Sequence, residues 1–266
     1  MAKKFISINE NKLAYTDQGS GLPVVLLHGF CGSGAYWDQV VPALSEKYRV
    51  IAPDQRGHGD SDAPEDPYTM EAMAEDVAQL LRTLKVEKAV VLGHSLGGYV
   101  ALAFAERYPK KLKAFGLIHS ASFPDDEQGK TNRTKNMNLI REKGLNPFIE
   151  GLIPKLFAPE HVESMPDEVE KALKIGKATK RDGAIRTLAG MRARPDRTAV
   201  LKGSKVPVLL VAGEKDQIVA PDKTFHVNKP NMHKFLLEEA GHMSMYEAPE
   251  RLLEAMRLFL DEKVQA

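Results

Sequence analysis

Two short alternating segments, Lys4–Ile8 and Lys12–Thr16, flank the triplet Asn9-Glu10-Asn11 near the start of the chain. Alternation on either side of a polar turn predicts a β-hairpin. Short apolar runs follow at Val24–Leu27, Val50–Ala52, Ala89–Leu92, Ala114–Ile118, Val208–Val211 and Lys234–Leu237. Runs of this kind are what strands show when helices cover both faces of a sheet. Between them the period lengthens. Ala72, Val77, Leu80, Leu81 and Leu84 recur at helical spacing, as do Val100, Phe104 and Ala105. Pro249 opens a last helix whose Leu252, Leu253, Met256 and Leu260 form an apolar stripe. Strands alternating with helices predict an α/β fold around a mostly parallel sheet.

The alternation stops between about Ser122 and Lys205, where the pattern is helical and no convincing strand occurs. Polar Lys130–Lys143 is followed by apolar Phe148–Phe157, then by Glu168–Lys177 and Ala184–Arg194. Pro147, Pro154, Pro159, Pro166 and Pro195 punctuate the stretch. Extra surface helices would explain it. An inserted cap over the carboxyl ends of the strands, where open α/β sheets bind ligands, explains it better. The expected division is a core of residues 1–121 and 206–266, with a helical cap (lid) at 122–205 inserted in it.

Composition narrows the class. The 266 residues suit one large α/β domain, and a net charge of +1 provides no field for nucleic acid or an anionic membrane. Cys31 is the only cysteine, so neither an intramolecular disulfide nor a thiolate zinc cluster is expected. Lys3 and Lys4 are not followed by an apolar stretch of signal length, and no apolar run would span a bilayer. The expectation is a soluble, cytoplasmic protein, monomer or homodimer, acting on a small molecule.

Gly93-His94-Ser95-Leu96-Gly97-Gly98 lies between the run Ala89–Leu92 and a helical pattern. G-x-S-x-G matches by chance in roughly one chain in ten of this length, since glycine and serine are common. The strand–turn–helix context is what makes it a nucleophile elbow, a sharp turn that lifts a serine hydroxyl out of the backbone. Side chains at Gly93 and Gly97 would clash in such a turn, and Gly98 would let the helix approach the sheet.

Acyl transfer also needs two N–H groups aimed at the oxyanion, and a base oriented by a carboxylate. Leu96 follows the serine and supplies one N–H. Leu27-His28-Gly29-Phe30 ends an earlier strand, and Phe30 supplies the other, with Gly29 and Gly32 allowing an unusual backbone. A plain strand-to-helix turn with a packed histidine explains that loop equally well. Asp216 follows the strand Val208–Val211 and His242 follows Lys234–Leu237, which completes the order Ser, Asp, His. Glu214 sits too near its strand end to replace Asp216, and Asp222 too far into the next helix. His119 follows Ala114–Ile118 and could line the site; His58, His161, His226 and His233 read as surface or structural.

Taken together, these residues resemble the α/β-hydrolase superfamily, specifically its capped, esterase-like serine hydrolases. Asp54-Gln55-Arg56-Gly57-His58-Gly59-Asp60-Ser61 adds to the likeness, with Asp54 and Arg56 in structural roles. The resemblance implies an eight-stranded, mostly parallel sheet with a helical cap after the sixth strand. Relatives that use an aspartate or a cysteine at the elbow are excluded by Ser95. Cys31 is read as packing beside the oxyanion loop, with a reactive thiol as the alternative.

The expected reaction is two-step hydrolysis of a small to medium carboxylic ester, requiring no metal or organic cofactor. A lactone, enol-lactone or C–C bond substrate stays open, although Met243 stands where C–C hydrolases often carry an aromatic residue. A lyase reusing the triad, or a slow-turnover ligand receptor, also remains. Phe123, Phe148 and Leu152 are candidates for substrate contact, as is Phe157, and ordinary packing explains them equally well. Arg192 and Arg194 could reach a substrate carboxylate; a solvated helix face is the simpler reading.

Overall fold

A computed structural model describes residues 2–8 and 10–264; Asn9 of the predicted turn lies outside them. The strands are β1 (Lys4–Ile8), β2 (Asn11–Gln18), β3 (Pro23–Leu27), β4 (Arg49–Pro53), β5 (Ala89–His94), β6 (Leu112–Ile118), β7 (Val208–Gly213) and β8 (Met232–Leu237). They form one eight-stranded sheet in the order β1-β2-β4-β3-β5-β6-β7-β8. β2 pairs antiparallel with β1 and β4, and every other pairing is parallel. Each predicted strand is present, extended at some ends by a residue or two.

The α-helices are α1 (Val41–Leu44), α2 (Met70–Thr83), α3 (Leu96–Arg107), α4 (Glu127–Lys143), α5 (Leu145–Leu152), α6 (His161–Ser164), α7 (Pro166–Lys177), α8 (Arg181–Ala193), α9 (Thr198–Gly203), α10 (Pro221–Phe225), α11 (Ser244–Glu247) and α12 (Pro249–Phe259). Thr69 caps α2 by accepting from the Ala72 N–H, and Asp126 caps α4 by accepting from Gly129. β3, β5 and β7 are buried along nearly their whole length, the burial their apolar runs required. α3 packs against the central strands β3, β5 and β6, α2 packs on α3 and on β1, and α12 packs with α1, β7 and β8. None of the described helices is long and apolar enough to cross a membrane.

From β6 to β7 the chain is helical, from α4 through α9. These helices pack largely on one another, α4 against α5 and α8, and α7 against α5 and α6. Arg197 pairs with Glu71 of α2 and Glu106 of α3, and two further ties are at loops that follow strands. The Lys180 N–H donates to Gly57 O at 3.2 Å, after β4, and the His242 N–H donates to Leu156 O at 2.8 Å, after β8. The segment therefore lies at the carboxyl end of the sheet.

Candidate active site

Three consecutive parallel strands, β3, β5 and β6, each end in a loop with a non-glycine residue in the left-handed region. These are Cys31 (φ 54°), Ser95 (φ 50°) and His119 (φ 51°). Such backbone costs of order 1–3 kcal/mol per residue and tends to gather at working sites. At Ser95 the neighbouring glycines make it possible. A Cβ on Gly93 would stand 2.0 Å from Gly97 O, and one on Gly97 would stand 2.4 Å from Leu27 O. On Gly98 it would meet Ser120 Oγ at 2.4 Å, so the close approach there is to the loop after β6.

The loop after β3 runs alongside. A Cβ on Gly29 would lie 2.6 Å from His94 Nδ1 and 3.4 Å from Ser95 Cβ. Gly29 and Gly32 are thus small because His94 and Tyr36 press on them, and the unusual backbone expected of them is instead at Cys31. The N–H groups of Phe30 and Leu96 make no turn or loop hydrogen bond to backbone among the described residues. Behind Phe30, His28 is fixed: its Nδ1 donates to Gly29 O at 2.7 Å and its Nε2 accepts from the Gln55 N–H at 2.9 Å. Asp54 accepts from the N–H groups of Gly34 and Asp60, and Arg56 forks onto Asp76 at 2.6 and 2.7 Å, so both brace the surrounding loops.

Asp216 and His242 meet because the ends of β7 and β8 press together. A Cβ on Gly213 would stand 2.2 Å from Gly241 O, and the Lys215 N–H donates to Ala240 O at 2.9 Å. His242 Nδ1 lies 2.8 Å from Asp216 Oδ2, with both side chains buried. Asp216 Oδ1 accepts from the N–H groups of Ile218 (2.8 Å) and Val219 (2.9 Å). Burial pushes the Asp216 carboxyl up, but the imidazoles of His242 and His119 outweigh it and hold it far below the usual carboxylate range. Among the described residues no hydrogen bond joins the half-buried Ser95 hydroxyl to His242. Their neighbour His94 connects them, with its ring 4.9 Å from that of His242 and its Nε2 donating to His242 O at 2.8 Å. Catalytic hydrogen bonds often close only when substrate is bound.

Two groups at this site were missed or underweighted by sequence reasoning. His119 Nδ1 lies 3.1 Å from Asp216 Oδ2. Buried Glu247 accepts from the N–H groups of Ala158 (2.6 Å) and Met243 (2.9 Å), and its Oε1 lies 2.9 Å from His161 Nδ1. The strand-end position of His119 was a usable signal; Glu247, in a short helix, carried none. The donor atoms of His119, Asp216 and His242 fall within 4.8 Å of one another, close enough to hold a metal ion, but hydrogen bonds among them already use those atoms.

The remaining candidates spread out. The Phe148 ring stands 6.0 Å from that of Phe30. Phe123 packs on His226 at 5.1 Å, and Leu152 is half buried against the core. Arg194 is committed elsewhere: it donates to Asp125, Met191 O and Phe123 O, and covers the Tyr99 ring at 4.1 Å. Arg192 is exposed. Cys31 is fully buried, and burial pushes its thiol up, away from reactivity.

Residues 23–249 match the alpha/beta hydrolase fold family. A thermophilic esterase from Thermogutta terrifontis, with malate bound, superposes with a TM-score of 0.93 and 32% identity, over 99% of this chain and 100% of that one. The 3-oxoadipate enol-lactonase 2 of Acinetobacter baylyi is 29% identical, over 86% of this chain and 85% of its own. The dihydrolipoyllysine-residue acetyltransferase component of the Pseudomonas putida acetoin cleaving system is 34% identical over 90% of this chain, which spans 64% of that relative's length. The chain belongs to the alpha/beta hydrolase fold family and is an enzyme of the hydrolase type.

Proposed function

We propose that the protein hydrolyses small to medium carboxylic esters by two-step acyl transfer through Ser95, His242 and Asp216. The observation that carries the reading is the 2.8 Å contact of His242 Nδ1 with the Asp216 carboxylate, beside a serine held at a strained elbow. That contact commits Nδ1 to donate, so that in the neutral ring it is Nε2 that carries the lone pair a general base needs. His242 takes the Ser95 proton as Oγ attacks the ester carbonyl. The N–H groups of Phe30 and Leu96 receive the oxyanion. The tetrahedral adduct collapses as the alcohol departs with the proton from His242. Water, deprotonated by the same imidazole, then attacks the acyl-enzyme, and the second adduct releases the acid as His242 returns the proton to Ser95 Oγ. No cofactor enters these steps.

Residues 122–205 serve as the cap over this site in the same proposal, and Phe148, next to Phe30, is the candidate wall for the acyl group. Phe123, packed on His226, and half-buried Leu152 are the other candidates for substrate contact in this proposal. A second reading, an enol-lactone substrate, is supported by the likeness to the Acinetobacter baylyi enol-lactonase. It uses the same machinery on a cyclic ester.

The test is hydrolysis of p-nitrophenyl esters of increasing acyl length, and of simple lactones, beside Ser95→Ala. Wild type should turn over and the variant should lose on the order of a millionfold in kcat. Equal rates for the two proteins on every ester and lactone would refute serine-dependent acyl transfer.

A further inference from the structure

His119 occupies a place the proposed mechanism does not use. It follows β6 directly, is fully buried, and its left-handed backbone accompanies a ring set among the loops after β7 and β8. Its Nδ1 is 3.1 Å from Asp216 Oδ2, the oxygen that also faces His242. Its Nε2 is 2.7 Å from Ser244 Oγ, two residues beyond His242. One imidazole therefore spans the loop of the carboxylate and the loop of the base.

The surroundings decide the tautomer. Nδ1 has two neighbours, the Asp216 carboxylate and the Gly213 N–H at 3.2 Å, and it cannot donate to one while accepting from the other. If Nδ1 were bare, its lone pair would face a carboxylate. If it carries the proton, the carboxylate gains a charge-assisted hydrogen bond, about twice as strong as the neutral one from Gly213 that is given up. Nε2 is then left to accept from the Ser244 hydroxyl. Burial lowers the affinity of the ring for a second proton, so the neutral form stands.

We propose that His119 is a positioning residue: as the Nδ1–H tautomer it donates to Asp216 Oδ2, so that the carboxylate is shared between two imidazoles and is oriented and weakened as a partner of His242. The inference rests on the triad reading above. With Ile218 and Val219 on Oδ1, all four acceptor directions of the carboxylate are used. A carboxylate already receiving a proton from His119 pulls less on the Nδ1–H of His242 than one that receives none. The other titratable groups facing this cluster are His94, with its ring 5.9 Å from His119, and Glu247 on α11, bonded to the Met243 N–H. Neither reaches Asp216 by a hydrogen bond.

The test compares the acid limb of the kcat/KM–pH profile in wild type, His119→Asn and His119→Gln. The Asn amide nitrogen can stand where Nδ1 stands and keep the bond to Asp216; Asn also tolerates left-handed backbone. The Gln amide reaches the Nε2 position and Ser244 only. The Asn variant should keep the wild-type limb, and the Gln variant should move it up by roughly half a unit to one unit. Equal limbs in all three, or equal shifts in both variants, would overturn the proposal. Nitrogen-15 NMR of the wild type gives a readout free of catalysis and of variant folding: the His119 proton belongs on Nδ1, and finding it on Nε2 would also overturn the proposal. Should Ser95→Ala retain full turnover, the triad reading fails, and the NMR result still decides the hydrogen bond.

Discussion

Replacing Glu247 by glutamine should destabilise the fold by about 2–4 kcal/mol. The side chain is fully buried and serves three donors, the N–H groups of Ala158 and Met243 and the ring of His161. Glutamine retains one acceptor oxygen. Left where Oε1 stands, it still serves Ala158 and His161, but its amide nitrogen then confronts the Met243 N–H, donor against donor. One hydrogen bond to a charged group is lost, worth about 1.5–3 kcal/mol, and a buried N–H is stranded at about 1–3 kcal/mol, two terms that overlap. The flipped amide would abandon two donors instead of one. Equilibrium unfolding in urea at neutral pH measures the difference directly. Because Met243 adjoins His242, and Ala158 lies two residues past the Leu156 carbonyl that holds the His242 N–H, kcat should fall with stability. A variant within 0.5 kcal/mol of wild type would show that water or rearrangement replaces the carboxylate, and would refute the reasoning.

Stability should also depend on His28 and His58. Burial pushes His28 down to about 4 and His58, with His28 beside it, to about 3. Below about pH 6.5 the unfolded chain takes up protons that these rings refuse in the folded state, so stability falls as pH falls. The two together should remove about 4 kcal/mol between pH 7.5 and pH 5; a flat urea midpoint across that range would contradict it. Cys31, enclosed in the loop after β3, should resist a thiol reagent such as iodoacetamide until the chain is unfolded, and stoichiometric labelling of the folded protein would contradict the burial.

The centre of the sheet was legible because β3, β5 and β7 are buried on both faces, so Val24–Leu27 or Val208–Val211 had to be written as an unbroken apolar run. Asp216 and His242 were legible as strand-end residues, and the structure brings them into contact. What escaped has a common cause. Glu247 acts on main-chain amides 89 and 4 residues away, and an amide leaves no mark in the residue type that carries it. His119 was noticed for its place, but its link to Asp216 depends on how β6 and β7 lie side by side. Gly29 and Gly32 of the loop after β3 were seen, and their reason was not: contact with His94 and Tyr36 is a tertiary fact.

The helical segment enters the fold through a single crossover, from β6 to the adjacent parallel strand β7. About a dozen residues suffice to join parallel neighbours. Extending such a connection to the roughly ninety residues found here costs only about 1.8 kcal/mol of closure entropy, comparable to burying one leucine. The crossover can therefore gain or lose length at little cost in closure entropy. The residues proposed for bond breaking stand on other loops, where a Cβ on Gly93, Gly97, Gly213 or Gly241 would collide with backbone, at Gly241 with the Ala158 nitrogen of the crossover itself. The exception is residues 156–158, whose Leu156 carbonyl and Ala158 N–H hold the His242 N–H and Glu247: exchanging the rest of the crossover with a relative should move selectivity and spare the reaction, while exchanging these three should cost turnover as well.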